Sequence, residues 1–295
     1  MDPMNGTQRL LVLTFLVATM LSIGMTSRVT SLRRLLASRG LLLRTLMANF
    51  VVVPLAGLVL VRILPLGPEA AAAILLLACV PGGLGSVQFT SKVKGEDALP
   101  GATLVLLNVV ALAVSPAIFR AVVPGSAGLS LPYGALLGFF ALCVLVPLGI
   151  GGALRETWPG GARRLAGPLG VLGLLAFVGF MIATRSYRRE ALATVGTMGG
   201  AAMALLLVSS MVAGGLLGGP ARETRQLLAT ATSMRHAALC LAMARSAPAG
   251  GAVIPPLVAF TALMVPANML FTLYGTVRAR GAARRAGKPG KEKKP

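Results

Sequence analysis

Arg235 and His236 lie side by side at the centre of an apolar segment, RQLLATATSMRHAALCLAMA, and no other pair in these 295 residues is better placed to do chemistry. A guanidinium stays charged at any physiological pH and offers five donors in a planar fork that fits a carboxylate, sulfonate or phosphate. An unpaired charge near the middle of a lipid-embedded helix costs several kcal/mol or more, so something must compensate it. Three readings follow for Arg235. It binds an anionic substrate, it supplies a fixed charge where a bound cation would otherwise hold helices together, or it caps carbonyls exposed by a helix break. His236 is the single histidine, and an imidazole, with its ordinary pKa of about 6.5, can change charge near neutrality. The adjacent Arg235 disfavours a second positive charge, which favours a neutral, hydrogen-bonded ring over a coupling role. Neighbours on a helix point about 100° apart, so Arg235 can line a cavity while His236 packs.

A second apolar segment, AAAAILLLACVPGGLGSVQFTS, is interrupted at Pro81-Gly82-Gly83. Proline removes an amide hydrogen, and glycine permits unusual dihedrals and close backbone approach. Breaks of this kind survive in lipid only where protein or a water-filled cavity satisfies the freed groups. Two interrupted segments at matching positions in two halves of a chain point to the substrate site of a secondary transporter. Ser86 and Gln88 after the first break, and Ser233 before Arg235, are polar groups that could join the backbone in holding a ligand. Asn49, Asn108 and Asn268 stand inside apolar spans, where bridging between helices is the commoner role; Asn268 is also a candidate substrate contact.

The elements that must carry these residues are membrane helices. Hydrophobic residues make up 56% and charged residues 12% of the chain, and the mean hydropathy is +0.82, whereas soluble domains carry about 25% charged residues. Spans of about 20 apolar residues are expected near 9–27, 41–61, 70–91, 98–119, 133–152, 165–184, 192–217, 226–245 and 252–277. The acidic residues all fall between spans or at their ends, which removes the usual interior proton relay and cation-coordinating carboxylate. Cys79, Cys143 and Cys240 sit in apolar runs without CxxC spacing, so they read as buried thiols rather than disulfide or zinc ligands. No metal site is expected. There is no HExxH, Walker loop or nucleophile–base arrangement, so no enzyme is indicated.

The net charge of +20 would suggest nucleic acid in a soluble protein, but its distribution follows the spans instead, and no nucleic-acid partner is expected. The connections at 28–40, 92–97, 153–164 and 218–225, with the segment from 278, hold nineteen Lys and Arg, and the opposite side holds seven. The positive-inside rule then places the N-terminus outside and the C-terminal segment in the cytoplasm of an inner (plasma) membrane. The stretch 10–23 resembles a signal-peptide core but lacks a small-x-small cleavage site, so it reads as a retained span. The stretch 278–295 reads as a disordered basic tail, with anionic lipid as a secondary partner.

The broken segments are the third and eighth of nine and so enter the membrane in opposite directions, as an inverted repeat requires. The span after each break contains Ala-Leu-x-Val near Pro-Ala: Ala111, Leu112, Val114, Pro116 and Ala117 in one, and Ala262, Leu263, Val265, Pro266 and Ala267 in the other.

Gly24-Met25, the run Ala78-Cys79-Val80-Pro81-Gly82-Gly83 on to Pro116, and the segment through Arg235-His236 resemble the bile acid:sodium symporter family, over most of residues 9–277. The resemblance implies an all-α fold of about nine spans with two crossed discontinuous helices. It implies a core domain, mainly 41–122 and 192–277, and a panel domain, mainly 9–27 and 133–184, within a transporter domain of residues 1–277. It also implies a substrate cavity between them and alternating access. The chain departs from the family's sodium-binding pattern. After the first break Leu84, Gly85, Ser86 and Val87 stand where Thr-x-Ser-Asn is usual, and Pro100 and Leu104 replace hydroxyl residues. Ala231, Arg235 and His236 stand where the family has Glu, Gln and Asn. The expectation is therefore an organic-anion transporter without sodium coupling and without a cofactor. The alternatives are a non-transporting sensor or interaction protein on the same fold, and a proton-coupled exporter working through His236.

Overall fold

A computed structural model of the protein describes residues 5–27, 29–83, 99–122, 138, 141–246 and 250–286. Among these the chain is helical almost throughout. Helices α1 (Gly6–Thr26), α2 (Val29–Ala37) and α3 (Arg39–Met47) open it. A π-turn at Ala48–Val52 joins α3 to α4 (Val53–Ile63), and α5 (Pro68–Cys79) follows. Then come α6 (Leu99–Val122), a second π-turn at Ala141–Leu145, α7 (Val146–Thr157) and α8 (Pro159–Ala183). The chain continues with α9 (Arg185–Leu217), α10 (Arg222–Ser233), α11 (Ala237–Ser246) and α12 (Ile254–Ala286). Five helical stretches, Gly6–Thr26, Arg39–Ile63, Pro159–Ala183, Val195–Leu217 and Gly251–Gly275, are each long and apolar enough to cross a bilayer.

Sequence sets the irregularities. Each π-turn lies two residues before a proline, Pro54 in one case and Pro147 in the other. A proline ring lacks an amide hydrogen and collides with the carbonyl four residues back, and a widened turn relieves that collision. In the first π-turn the Val53 N–H reaches the Ala48 carbonyl, and Asn49 Nδ2 donates to the Thr45 carbonyl at 3.0 Å. The Asn5 side chain caps α1 by accepting from the Gln8 N–H, and Gln8 Oε1 accepts from the Asn5 N–H in return.

Packing divides between two neighbourhoods. Helix α1 lies mainly against α7 and α8. Gly24 meets Gly151 backbone to backbone, and Ser22 Oγ donates to the Ala166 carbonyl at 2.7 Å. Small residues at such contacts bring helices close enough for dispersion to hold them where lipid offers no hydrophobic drive. Helix α9 packs mainly on α10 and α12, and α5 touches α4, α6, α9 and α12. The outward faces are apolar, with Leu175, Val178 and Ile182 of α8 and Leu205, Val208, Val212 and Leu216 of α9 all exposed. Apolar exposure on that scale marks contact with lipid.

The fold departs from the sequence expectations at three places. The basic connection 28–40 holds α2 and the start of α3 rather than an irregular loop, because VTSLRRLLA places Leu35 inward and Arg33 and Arg34 outward. The stretch expected at 192–217 begins earlier, at Arg185, and kinks at Gly196, whose φ of 67° and ψ of 177° interrupt the helix. Helix α12 runs to Ala286, into the segment read as a disordered tail. Apart from Gly281, its residues there are Ala and Arg, both strong helix formers.

Candidate functional site

Helix α5 ends at Cys79, and Val80, Pro81, Gly82 and Gly83 continue in non-helical conformation. Helix α10 ends at Ser233, and Met234, Arg235 and His236 separate it from α11. The two breaks pair with each other. The Gly83 N–H donates to the Met234 carbonyl at 2.9 Å, and the His236 N–H donates to the Val80 carbonyl at 3.2 Å. The register runs antiparallel, so two unwound segments satisfy one another's backbone as a short strand pair would. This answers the accounting problem that broken helices raise in lipid.

Glycine is required at both positions that close the crossing. Gly82 has a φ of 88°, in the left-handed region. At Gly83 a Cβ would stand 2.6 Å from the Arg235 carbonyl oxygen and 2.7 Å from that of Met234, both backbone atoms of the opposite break. Pro81 lies beyond the end of α5, between the paired residues Val80 and Gly83, where its missing N–H costs no helix bond.

Asparagines fasten each break to another helix. Asn108 of α6 donates through Nδ2 to the Gly82 carbonyl at 3.2 Å and to the Leu104 carbonyl at 2.8 Å. Asn268 of α12 accepts the Ser233 hydroxyl at 2.8 Å through Oδ1 and donates through Nδ2 to the Met264 carbonyl at 2.9 Å. Asn49, in the first π-turn, reaches Thr232 Oγ1 at 3.4 Å. Ser233 and Asn268 are thus bonded to each other, and both ends of the Asn268 amide are spent on protein groups. Replacing Asn108 by leucine should leave the buried Gly82 carbonyl without this donor. The expected loss is about 1–3 kcal/mol of stability, read as a lower melting temperature of the purified protein.

His236 closes the start of α11. Its Nδ1 accepts the Leu239 N–H at 3.1 Å, and its carbonyl accepts the Cys240 N–H at 3.0 Å. With Nδ1 acting as acceptor, the proton of the neutral ring resides on Nε2. The imidazole therefore works as a helix cap in this arrangement, and adding a proton at Nδ1 would set two donors against each other.

Arg235 is the largest fully buried side chain of the described residues, only 1% exposed. Its backbone N–H meets Met264 Sδ at 3.2 Å, and its charge is felt by the thiols of Cys79 and Cys240. Cys240 of α11 itself donates to the Leu76 carbonyl of α5 at 3.7 Å, so α5 and α11 meet beside the crossing. Nε, Nη1 and Nη2 are all buried, and none has a hydrogen-bond partner among the described residues. The reading in which Arg235 caps carbonyls at the break finds no such bond. Helices α5 and α10 both end against the segment that carries Arg235, and their negative dipole ends compensate it by up to about 2 kcal/mol each in favourable geometry. Desolvating an ion costs several kcal/mol. Dipoles soften that cost without replacing an anion.

Of the residues that sequence singled out, Pro81, Gly82, Gly83, Ser233, Arg235, His236 and Asn268 gather at or beside the crossing. Ser86 and Gln88 lie outside the described residues. Thr232 also holds the crossing and was not singled out, and Asn108 holds it in the bridging role expected of the in-span asparagines. Their polarity inside apolar runs is the signal that marks them.

A comparison with curated proteins returns no match. A family model described as the Sodium Bile acid symporter family matches residues 13–194, which take in the first break and stop before the second, so Arg235 stands beyond the matched stretch. That match covers more than half of the chain and agrees with the helical, apolar architecture around the first break: the chain belongs to the sodium bile acid symporter family, whose members are secondary transporters and not enzymes.

Proposed function

We propose that the protein carries an amphipathic organic anion across the membrane by alternating access, with Arg235 as the positive group that holds the anion's charge. One observation carries the reading: an arginine 1% exposed at the crossing of two broken helices, with no hydrogen-bond partner among the described residues on any guanidinium nitrogen. A fork of donors in a desolvated wedge is complementary to a carboxylate or sulfonate. The start of α11 immediately after His236 adds the positive end of a helix dipole. The apolar lining around it, with Phe260, Met264 and Leu77 buried nearby in the same core, suits an amphipathic body.

In this reading the helices α1, α7 and α8 form the panel and α5, α6 and α9 to α12 with α3–α4 form the core, related internally as inverted repeats. The site would open to either side as one unit moves against the other. Arginines at helix ends suit a cytoplasmic face. Arg155 Nη1 donates to the Met25 carbonyl at 2.7 Å, Arg222 Nη2 to the Gly275 carbonyl at 2.7 Å and Arg225 Nε to the Gly219 carbonyl at 2.6 Å. The bonds to Met25 and Gly219 satisfy carbonyls at the ends of α1 and α9 and match their negative ends, whereas Gly275 lies inside α12.

Sodium coupling is not part of the proposal. A sodium ion about 5 Å from the Arg235 guanidinium would be repelled by about 3 kcal/mol at an effective dielectric constant of about 20, roughly two orders of magnitude in affinity. Uptake of radiolabelled taurocholate into proteoliposomes loaded with unlabelled taurocholate tests both parts. Transport is expected, with the same initial rate when external sodium is replaced by choline. A rate that collapses in choline would remove the argument from the fixed charge.

A further inference from the structure

We infer that the fixed charge of Arg235 makes this transporter an obligate exchanger, moving one anion in for each anion out. The inference rests on the proposed anion-carrying role of Arg235. Alternating access requires an arrangement closed to both sides between the two facing states. Through it the crossing must carry a guanidinium that the described residues leave without a hydrogen-bond partner on Nε, Nη1 or Nη2. Among the described residues no carboxylate bears on its charge: the ionisable groups that do are the thiols of Cys79 and Cys240, Met264 meets the Arg235 backbone N–H through its thioether, and the backbone beside it is committed to pairing Gly83 with Met234 and His236 with Val80.

Ser233 cannot turn toward it without giving up its bond to Asn268, and a hydroxyl would bring no charge. An anion seated on the guanidinium removes the penalty, so the loaded protein passes through the closed arrangement and the unloaded protein is held back. A buried ion without a partner is costly enough to slow such a step by about 10- to 1,000-fold. The net charge moved across the membrane by such an exchange of like anions is zero.

The test uses the full-length protein in proteoliposomes and radiolabelled taurocholate outside. One set of vesicles is loaded with unlabelled taurocholate. The other is loaded with the potassium salt of dextran sulfate, an anion too large to enter a helix crossing. Equal potassium and valinomycin on both sides hold the potential at zero, so charge accumulation cannot limit either set. Loaded vesicles are expected to take up label at least about tenfold faster than unloaded ones. Arg235→Lys, which keeps a fixed positive charge, should preserve that ratio at a lower rate.

Equal rates into loaded and unloaded vesicles would overturn the exchange inference and leave the anion reading standing. A ratio that falls to one in Arg235→Lys, with uptake persisting, would also overturn it, because the charge would not be its source. No uptake into either set would overturn the anion reading and the inference with it.

Discussion

Substituting methionine for Arg235 should abolish organic-anion uptake and at the same time raise the melting temperature. The two effects have one cause. None of the three guanidinium nitrogens is hydrogen-bonded among the described residues, so removing them orphans no partner there, while the several kcal/mol spent on desolvating the charge is recovered. Against that gain stands the lost attraction to the ends of α5 and α10, up to about 2 kcal/mol each at best. Methionine is unbranched and adaptable and fills most of the vacated volume. The balance is a stabilisation of about 1–4 kcal/mol, which should appear as a shift of several degrees in thermal unfolding of the detergent-purified protein. Uptake of labelled taurocholate should fall by at least about 100-fold, because in the proposed function this charge is the group that holds the anion. An arginine that merely braced the fold would give the opposite pattern, with a lower melting temperature. Arg235→Lys separates charge from geometry. It keeps the positive centre and loses the fork, so partial uptake is expected.

Much of this site can be read from residue types, and the limits of that reading have physical causes. Pro81-Gly82-Gly83 announced a break because those residues disfavour helix whatever surrounds them, and the structure ends α5 just before them, at Cys79. The second break carries no such local signal. Met234, Arg235 and His236 are all acceptable in a helix, and what marked them was the cost of charge in lipid. Only the structure shows why the helix stops there: the His236 N–H and the Met234 carbonyl are committed across the crossing to Val80 and Gly83. That pairing is a tertiary fact between residues about 150 positions apart, and no periodicity encodes it. The roles of the asparagines were legible as a class, since a buried amide must find partners. Which break each one holds depended on the packing of α6 and α12. The continuation of α12 to Ala286 was missed because basic, Gly- and Pro-containing sequence was weighed as one block. The Pro and Lys residues concentrate beyond 286, and the stretch before it is rich in Ala and Arg.

The close approach of the two breaks makes a second large effect calculable, that of Gly83→Ala. One added methyl would stand 2.6 Å and 2.7 Å from the carbonyl oxygens of Arg235 and Met234, well inside van der Waals contact. Neither oxygen can swing aside as a flexible side chain would, because both belong to the backbone. The Met234 oxygen also accepts the Gly83 N–H. The segments must therefore separate, and separation breaks the bond from Gly83 to Met234 and strains the one from His236 to Val80. A buried backbone group left unmade costs about 1–3 kcal/mol, so a loss of about 2–4 kcal/mol is expected once the steric term is added.

Gly200→Ala provides the contrast. Gly200 lies in the interior of α9, and nothing stands within 4 Å of a Cβ built there. Alanine is the better helix former by about 0.5–1 kcal/mol, so that variant should unfold at the wild-type temperature or slightly above it and transport normally. Gly83→Ala should unfold several degrees lower and lose at least about tenfold in taurocholate uptake, because Arg235 follows Met234 directly and moves with it. If Gly83→Ala matched Gly200→Ala in both measurements, the two breaks would not be paired, and the position of Arg235 between α5 and α11 would have to be abandoned with them.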